Sequence, residues 1–276
     1  MKSFIKLLNF EFNRFFKLYV TLFIFMFVVQ VGGIVISALS YNRTVNNHLA
    51  EGIAESSVIE AVGMFSLAGH MYHLYFVGPL FLSLIGILFY TFFIWYRDWL
   101  GKNTFIYRLL TLPSSRMNVY FSKLLTIFLT GLGVAAFQLI IIFLQNQLVH
   151  LIVPDVFRVD LSTVYVTRHF SLLLTMFPVN VSEFISYQLL SILFIVVIFT
   201  AILLERSYRL IGLVYGVVYA FVMFLIFLSP TIVQFILGYE YFYPSELVML
   251  LVVTGVIVLV SSLLFSRYLM NKKVTV

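Results

Sequence analysis

From Leu18 to Ser40 the chain reads LYVTLFIFMFVVQVGGIVISALS, 23 residues without a charged side chain. A helix rises about 1.5 Å per residue, and about 20 residues cross a hydrocarbon core, so this stretch is long enough to span a membrane. Five more such stretches follow: Leu74 to Tyr96, Leu124 to Asn146, Ile185 to Leu204, Leu210 to Leu228 and Leu247 to Phe265. The pattern predicts an all-α membrane protein with six transmembrane helices.

Composition agrees. The chain is 62% hydrophobic and 10% charged, with mean hydropathy +1.08, whereas an ordinary soluble domain is about 25% charged. A soluble core is excluded. No gap between spans is long or mixed enough for a separate globular unit, so residues 1–276 read as one membrane domain. The absence of cysteine removes disulfides, thiolate metal sites and a Cys nucleophile. Lys2, Lys6, Arg14 and Lys17 precede the first stretch as in a secretory signal. That stretch exceeds a signal's usual apolar region of about 7 to 15 residues and lacks a small-x-small cleavage site, so it is expected to be retained.

The basic residues fall in alternate gaps. Placing the N-terminus in the cytoplasm puts 14 of them on that side, from Lys2, Lys6, Arg14 and Lys17 through Arg97 to Lys123 and on to Arg267, Lys272 and Lys273. Only Arg43, Arg158 and Arg168 are left opposite. Of the acids, only Glu11, Asp98 and Glu205 share the basic side. The positive-inside bias therefore predicts a multi-pass protein of the cell membrane with both termini cytoplasmic. The pI of 9.4 follows without any nucleic acid; membrane lipid headgroups and a cytoplasmic partner are the natural counter-charges.

Two outer loops are long, Tyr41 to His73 and Gln147 to Phe184. Phe170 to Val179 is apolar but about half a span, and is expected to lie on or dip into the outer leaflet. Thr231 to Pro244 is too apolar for a free loop and too short to cross. It reads equally as a re-entrant hairpin punctuated by Pro230, Gly238 and Pro244, or as an aromatic belt at the ends of spans five and six.

Catalytic and ion-relay groups are missing from the spans. No Asp, Glu, His, Lys or Arg occurs in them, and all five histidines lie outside or at span edges. That argues against ion-driven transport, which usually places ionisable groups inside the membrane, and against intramembrane hydrolysis. His70 and His73 have helical spacing for a metal pair, although lone surface histidines are far commoner. In-membrane polarity consists of neutral groups, chiefly Gln30 and Gln138. They are candidates for a substrate path, with interhelical hydrogen bonding the commoner role. Gly212, Gly216 and Ala220 place small residues on one face of span five, for close packing within this chain or with a second copy.

The largest segment on the basic side is Arg97 to Lys123. Asn103 or Thr104 starts a short helix whose apolar stripe is Phe105, Ile106, Leu109 and Leu110, with Lys102, Tyr107 and Arg108 largely off it; Pro113 ends it. Such a helix can be gripped by a partner or simply lie among headgroups.

Taken with the amphipathic run Phe4 to Lys17, with Gly101-Lys102-Asn103 leading to Tyr107-Arg108-Leu109-Leu110-Thr111-Leu112-Pro113, and with the short segment before span six, the chain resembles permease subunits of ATP-binding-cassette exporters of the type-2 class over nearly its whole length. These are bacterial drug, peptide and polysaccharide exporters. The resemblance implies an interfacial elbow helix at Phe4 to Lys17 and a coupling helix at Lys102 to Leu112 seated on a separate ATPase. On it, Lys102, Phe105, Ile106, Arg108, Leu109 and Leu110 are the expected ATPase contacts. It also implies a second permease copy or homologous permease, and ATP with magnesium bound by the partner ATPase. No cofactor, metal or catalytic residue is expected in this chain, whose Gly101-Lys102 is followed by Asn103 and lacks the glycine a phosphate-binding loop needs. The exported compound would be an antimicrobial peptide, a drug or a lipid-like molecule. The other reading is a non-transporting membrane scaffold or sensor partner that docks a signalling protein.

Overall fold

In a computed structural model, which describes residues 2–99, 106, 109, 115–238 and 241–273, the protein is helical. Among the described residues there is no strand, only an isolated bridge pairing Phe65 with Arg158. The helices are α1 (Lys2–Ala50), α2 (Glu55–Val62), α3 (Leu67–His70), α4 (Leu74–Trp99), α5 (Arg116–Ile152), α6 (Thr163–His169), α7 (Ser171–Met176), α8 (Val181–Leu237) and α9 (Pro244–Tyr268). Six segments are long and apolar enough to cross a membrane: Phe4–Ala50, Leu74–Trp99, Arg116–Ile152, Val181–Tyr208, Ile211–Leu237 and Pro244–Lys273. Five of them contain a whole charge-free stretch and Ile211–Leu237 contains all but the first residue of the fifth, and large apolar side chains on them, such as Phe221 and Phe89, stand exposed. The chain is a multi-pass membrane protein.

Helix α8 carries two of these spans. Adding a Cβ to Gly216 would bring it within 2.7 Å of the Ala201 carbonyl oxygen, and one added to Gly212 would strike the carbonyl of Leu204. Residues 201 and 216 in a straight helix would lie about 22 Å apart. The chain therefore reverses between Tyr208 and Ile211, and spans four and five form a tight antiparallel hairpin.

Three sequence expectations are corrected. Helix α1 runs from Lys2 to Ala50 without a break, so Phe4 to Lys17 is no separate elbow: nothing between Lys17 and Leu18 interrupts helical hydrogen bonding. Helices α1 and α5 also continue to Ala50 and Ile152, well into the expected outer loops. Thr231 to Leu237 continues α8 instead of folding as a re-entrant hairpin. Pro230 lacks the N–H that would bond the Ile226 carbonyl, but the Ser229 hydroxyl donates to that carbonyl at 2.8 Å, and the helix passes through. It ends at Gly238, whose φ of 115° is the left-handed backbone that glycine accepts readily. The next helix starts cleanly, with Pro244 in its first turn and Glu246 accepting from the Tyr243 N–H at 3.0 Å.

By compactness the chain divides into two units, the first Met1–Arg14, Ile87–Leu129 and Ile185–Val276, the second Phe15–Gly86 and Thr130–Phe184. In the second unit, Gly133 admits the Tyr19 ring, whose hydroxyl donates to the Thr130 carbonyl at 3.3 Å. Phe23 stacks on Phe137 at 4.2 Å. Its connecting segments are stitched by Tyr41 donating to the Gly63 carbonyl at 2.6 Å, and by Phe65, whose N–H donates to Phe157. The apolar segment after Phe170 is the short helix α7, with Leu173 buried.

Candidate functional site

The first unit contains a buried ionic cluster at the ends of three helices. Glu11 lies on α1, Asp98 on the last turn of α4 and Lys123 on the second turn of α5. All three are sealed from solvent, at 1%, 1% and 0% exposure. The Lys123 ammonium donates to Glu11 Oε1 at 2.7 Å, to Asp98 Oδ2, and to the Ile94 carbonyl at 3.0 Å. Its three protons thus have three acceptors, the arrangement an ammonium needs to be kept out of water. The Trp95 ring lies 5.4 Å from the same nitrogen.

Two arginines complete the cluster. Arg97 donates to Glu11 Oε2 at 2.9 Å, and Arg14 to Asp98 Oδ1 at 2.7 Å. Each carboxylate is shared between Lys123 and one arginine. Three cations against two anions leave one positive charge in excess, and the guanidinium side chains are the partly exposed members, at 18% and 25%. Desolvating such groups costs several kcal/mol each, and removing one partner of a buried pair typically costs about 3–5 kcal/mol. The cluster clamps both flanks of the 97–123 segment to α1.

Apolar packing repeats the same connection. Leu109, within that segment, forms a buried cluster with Leu7 of α1 and Val119 of α5. Ile106 and Leu109 are 0% and 5% exposed. Two of the four residues of the expected docking stripe, Ile106 and Leu109, are thus buried within the protein itself. The other expected ATPase contacts, Lys102, Phe105, Arg108 and Leu110, lie outside the described residues.

The acids on the basic side were the available signal for this site. Each of the three finds a partner: Glu11 and Asp98 in the cluster, and Glu205 accepting from the Tyr96 hydroxyl with Arg206 3.6 Å away. The six charge-free stretches hold no Asp, Glu, His, Lys or Arg, yet the Lys123 ammonium reaches the carbonyl of Ile94, inside the second of them.

In the second unit Gln30 and Gln138 form a reciprocal pair, Gln30 Nε2 donating to Gln138 Oε1 at 3.1 Å and Gln138 Nε2 to Gln30 Oε1 at 3.0 Å. Gln30 also donates to the Phe76 carbonyl, and Gln145 donates to the Gln30 carbonyl. All three amides are fully buried. Gln30 and Gln138 spend these hydrogen bonds on contacts between helices and are 0% exposed. Gly212 and Gly216 meet α8 itself, as described; Ala220, on the same face of span five, is partly exposed.

His70 and His73 stack with ring centres 5.0 Å apart, and His70 Nδ1 is 2.8 Å from the Ser66 carbonyl. Burial lowers the His70 pKa below its ordinary value, partly opposed by the Ser66 hydrogen bond. Among the described residues no three His, Cys, Asp or Glu side chains converge in a way that could hold a metal ion. Compared with family models, with curated proteins and with solved structures, the chain matches none of them.

Proposed function

We propose that this chain is the permease of an ATP-driven exporter. It works as a pair, with a second copy or a homologous chain, and with a separate cytoplasmic ATPase that binds ATP and magnesium. The pair moves an amphipathic or hydrophobic compound, such as an antimicrobial peptide, a drug or a lipid-like molecule, out of the cytoplasm or inner leaflet. In this reading both termini are cytoplasmic and the 97–123 segment receives the motion of the ATPase.

The observation that supports it is the buried cluster of Glu11, Arg14, Arg97, Asp98 and Lys123. A segment that transmits force into membrane helices must be mounted so that it cannot slip. Charge pairs in a dry environment are stiff and directional. With Ile106 and Leu109 turned inward, docking falls to Lys102, Arg108 and the rest of the segment, which suits an acidic-rimmed cleft.

Co-purification of the native complex tests the proposal. An ATPase subunit recovered near one to one, with hydrolysis stimulated by the exported compound in vesicles, is the expected result. Arg108→Glu should weaken the association in a salt-dependent manner. Recovery of a signalling protein with no ATPase replaces the exporter by the scaffold reading.

A further inference from the structure

We propose that a cavity between the first turns of α5 and the last turns of α9 holds one anionic phospholipid, with its phosphate on Arg267 and an acyl chain along Phe121, Leu263 and Leu264. The cavity has a volume of about 380 Å³ and is lined by these four residues together with Ser115, Met117 and Asn271. That volume, at the lower end of small-molecule sites of about 300–1,000 Å³, takes the phosphate and part of one acyl chain, with the rest of the lipid outside the cavity.

The lining is graded like a lipid. Along α9 and the turn that follows it, Leu263, Arg267 and Asn271 succeed one another at four-residue intervals on one helical row. On α5, Met117 and Phe121 have the same spacing, with Ser115 at the polar end. Apolar wall therefore passes into cation and amide over about two helical turns, at the point where the apolar stretch of span six ends. Arg116 fixes this geometry by donating to the Met270 carbonyl at 2.7 Å. The neighbouring exposed Tyr268 is the aromatic residue type found at membrane interfaces.

Charge selects the occupant. Arg267 is exposed and makes no hydrogen bond or ion pair among the described residues. The adjacent lysines are engaged elsewhere, Lys272 over the Tyr268 ring at 5.7 Å and Lys273 over the Tyr208 ring at 5.6 Å. A planar guanidinium beside a groove with an apolar floor matches a phosphate diester whose tail lies along that floor. Basic pockets between membrane helices bind acidic headgroups by this chemistry. The inference depends on neither the exporter reading nor the orientation.

Native mass spectrometry of the full chain, released from nanodiscs of mixed phosphatidylglycerol and phosphatidylcholine, tests it. One retained phosphatidylglycerol, preferred about tenfold over phosphatidylcholine, is expected. Arg267→Gln should abolish the preference, and Lys272→Gln should leave it intact. Leu264→Trp, which fills the groove, should reduce retention of both lipids. The proposal is overturned if there is no headgroup preference, if Arg267→Gln and Lys272→Gln act equally, or if inorganic phosphate alone binds as well as the lipid.

Discussion

Lys123 donates to Glu11 across 2.7 Å and 112 positions of sequence, and neither side chain reaches solvent. Lys123→Met leaves two carboxylates facing each other with only the arginines to hold them. We expect a loss of about 3–5 kcal/mol. Pairing it with Glu11→Gln should recover part of that, a coupling of about 0.5–3 kcal/mol in a double-mutant cycle followed by detergent unfolding. Simple additivity would mean that the two groups do not share one network.

The hairpin of α8 gives a sharper contrast. Gly216→Leu must separate two backbones at the Ala201 carbonyl and should destabilise the isolated chain by at least about 2 kcal/mol. Leu213→Val, at a position 54% exposed, should stay within about 1 kcal/mol. The effect is expected in monomers; if thermal unfolding of monomeric Gly216→Leu is normal and only its self-association suffers, the glycines belong to a contact between copies.

For the amide pair, Gln30→Ala and Gln138→Ala should show a coupling near 0.6–1.7 kcal/mol, the range of membrane interhelical hydrogen bonds. Since both amides are committed to helix contacts, substrate selectivity in transport assays should not change in either variant. A changed selectivity at wild-type stability would return these residues to a substrate path.

Acid should loosen the segment around α3. The His70 pKa is lowered in the folded protein, chiefly by burial, with the His73 charge adding to the effect. The unfolded segment therefore binds the proton more readily. Its contribution to stability is complete above the ordinary histidine value of about 6.5 and is lost as pH falls through the lower, folded value. Protection factors over residues 63–73, that is, exchange rates divided by the intrinsic rate at each pH, should fall between neutral and mildly acidic pH in wild type, and His70→Gln should flatten that dependence.

Orientation can be read with single cysteines, because the chain has none of its own. Cys at exposed Asn47 or Ser162 should react with an impermeant thiol reagent applied to intact cells. Cys at Ser207 or Asn271 should react only after permeabilisation. Labelling of Asn271→Cys from outside would reverse the assignment.

The spans were legible because a charge-free run of about 20 residues has few alternatives. Helix ends were not: composition marks where apolar sequence stops, whereas α1 stops where hydrogen bonding stops, at Ala50 rather than Ser40. Pro230 looked like a break because the sequence does not advertise the Ser229 hydroxyl as its substitute donor. The stripe at Ile106 and Leu109 was recognisable as apolar, but which surface covers it depends on Leu7 and Val119, remote in sequence. The ionic cluster was hidden for the same reason. Charges at span ends look solvated until tertiary contacts between α1, α4 and α5 bring them together.

The separation of Glu11 from Lys123 also has a consequence in time. A ribosome adding about 5–20 residues per second needs roughly 6 to 22 seconds to travel the 112 positions between them. Throughout that interval the nascent chain carries an acidic side chain whose buried counter-ion has not yet been synthesised. The first turns of α1 must wait in contact with water or headgroups, and can be drawn into place only when the start of the third span emerges.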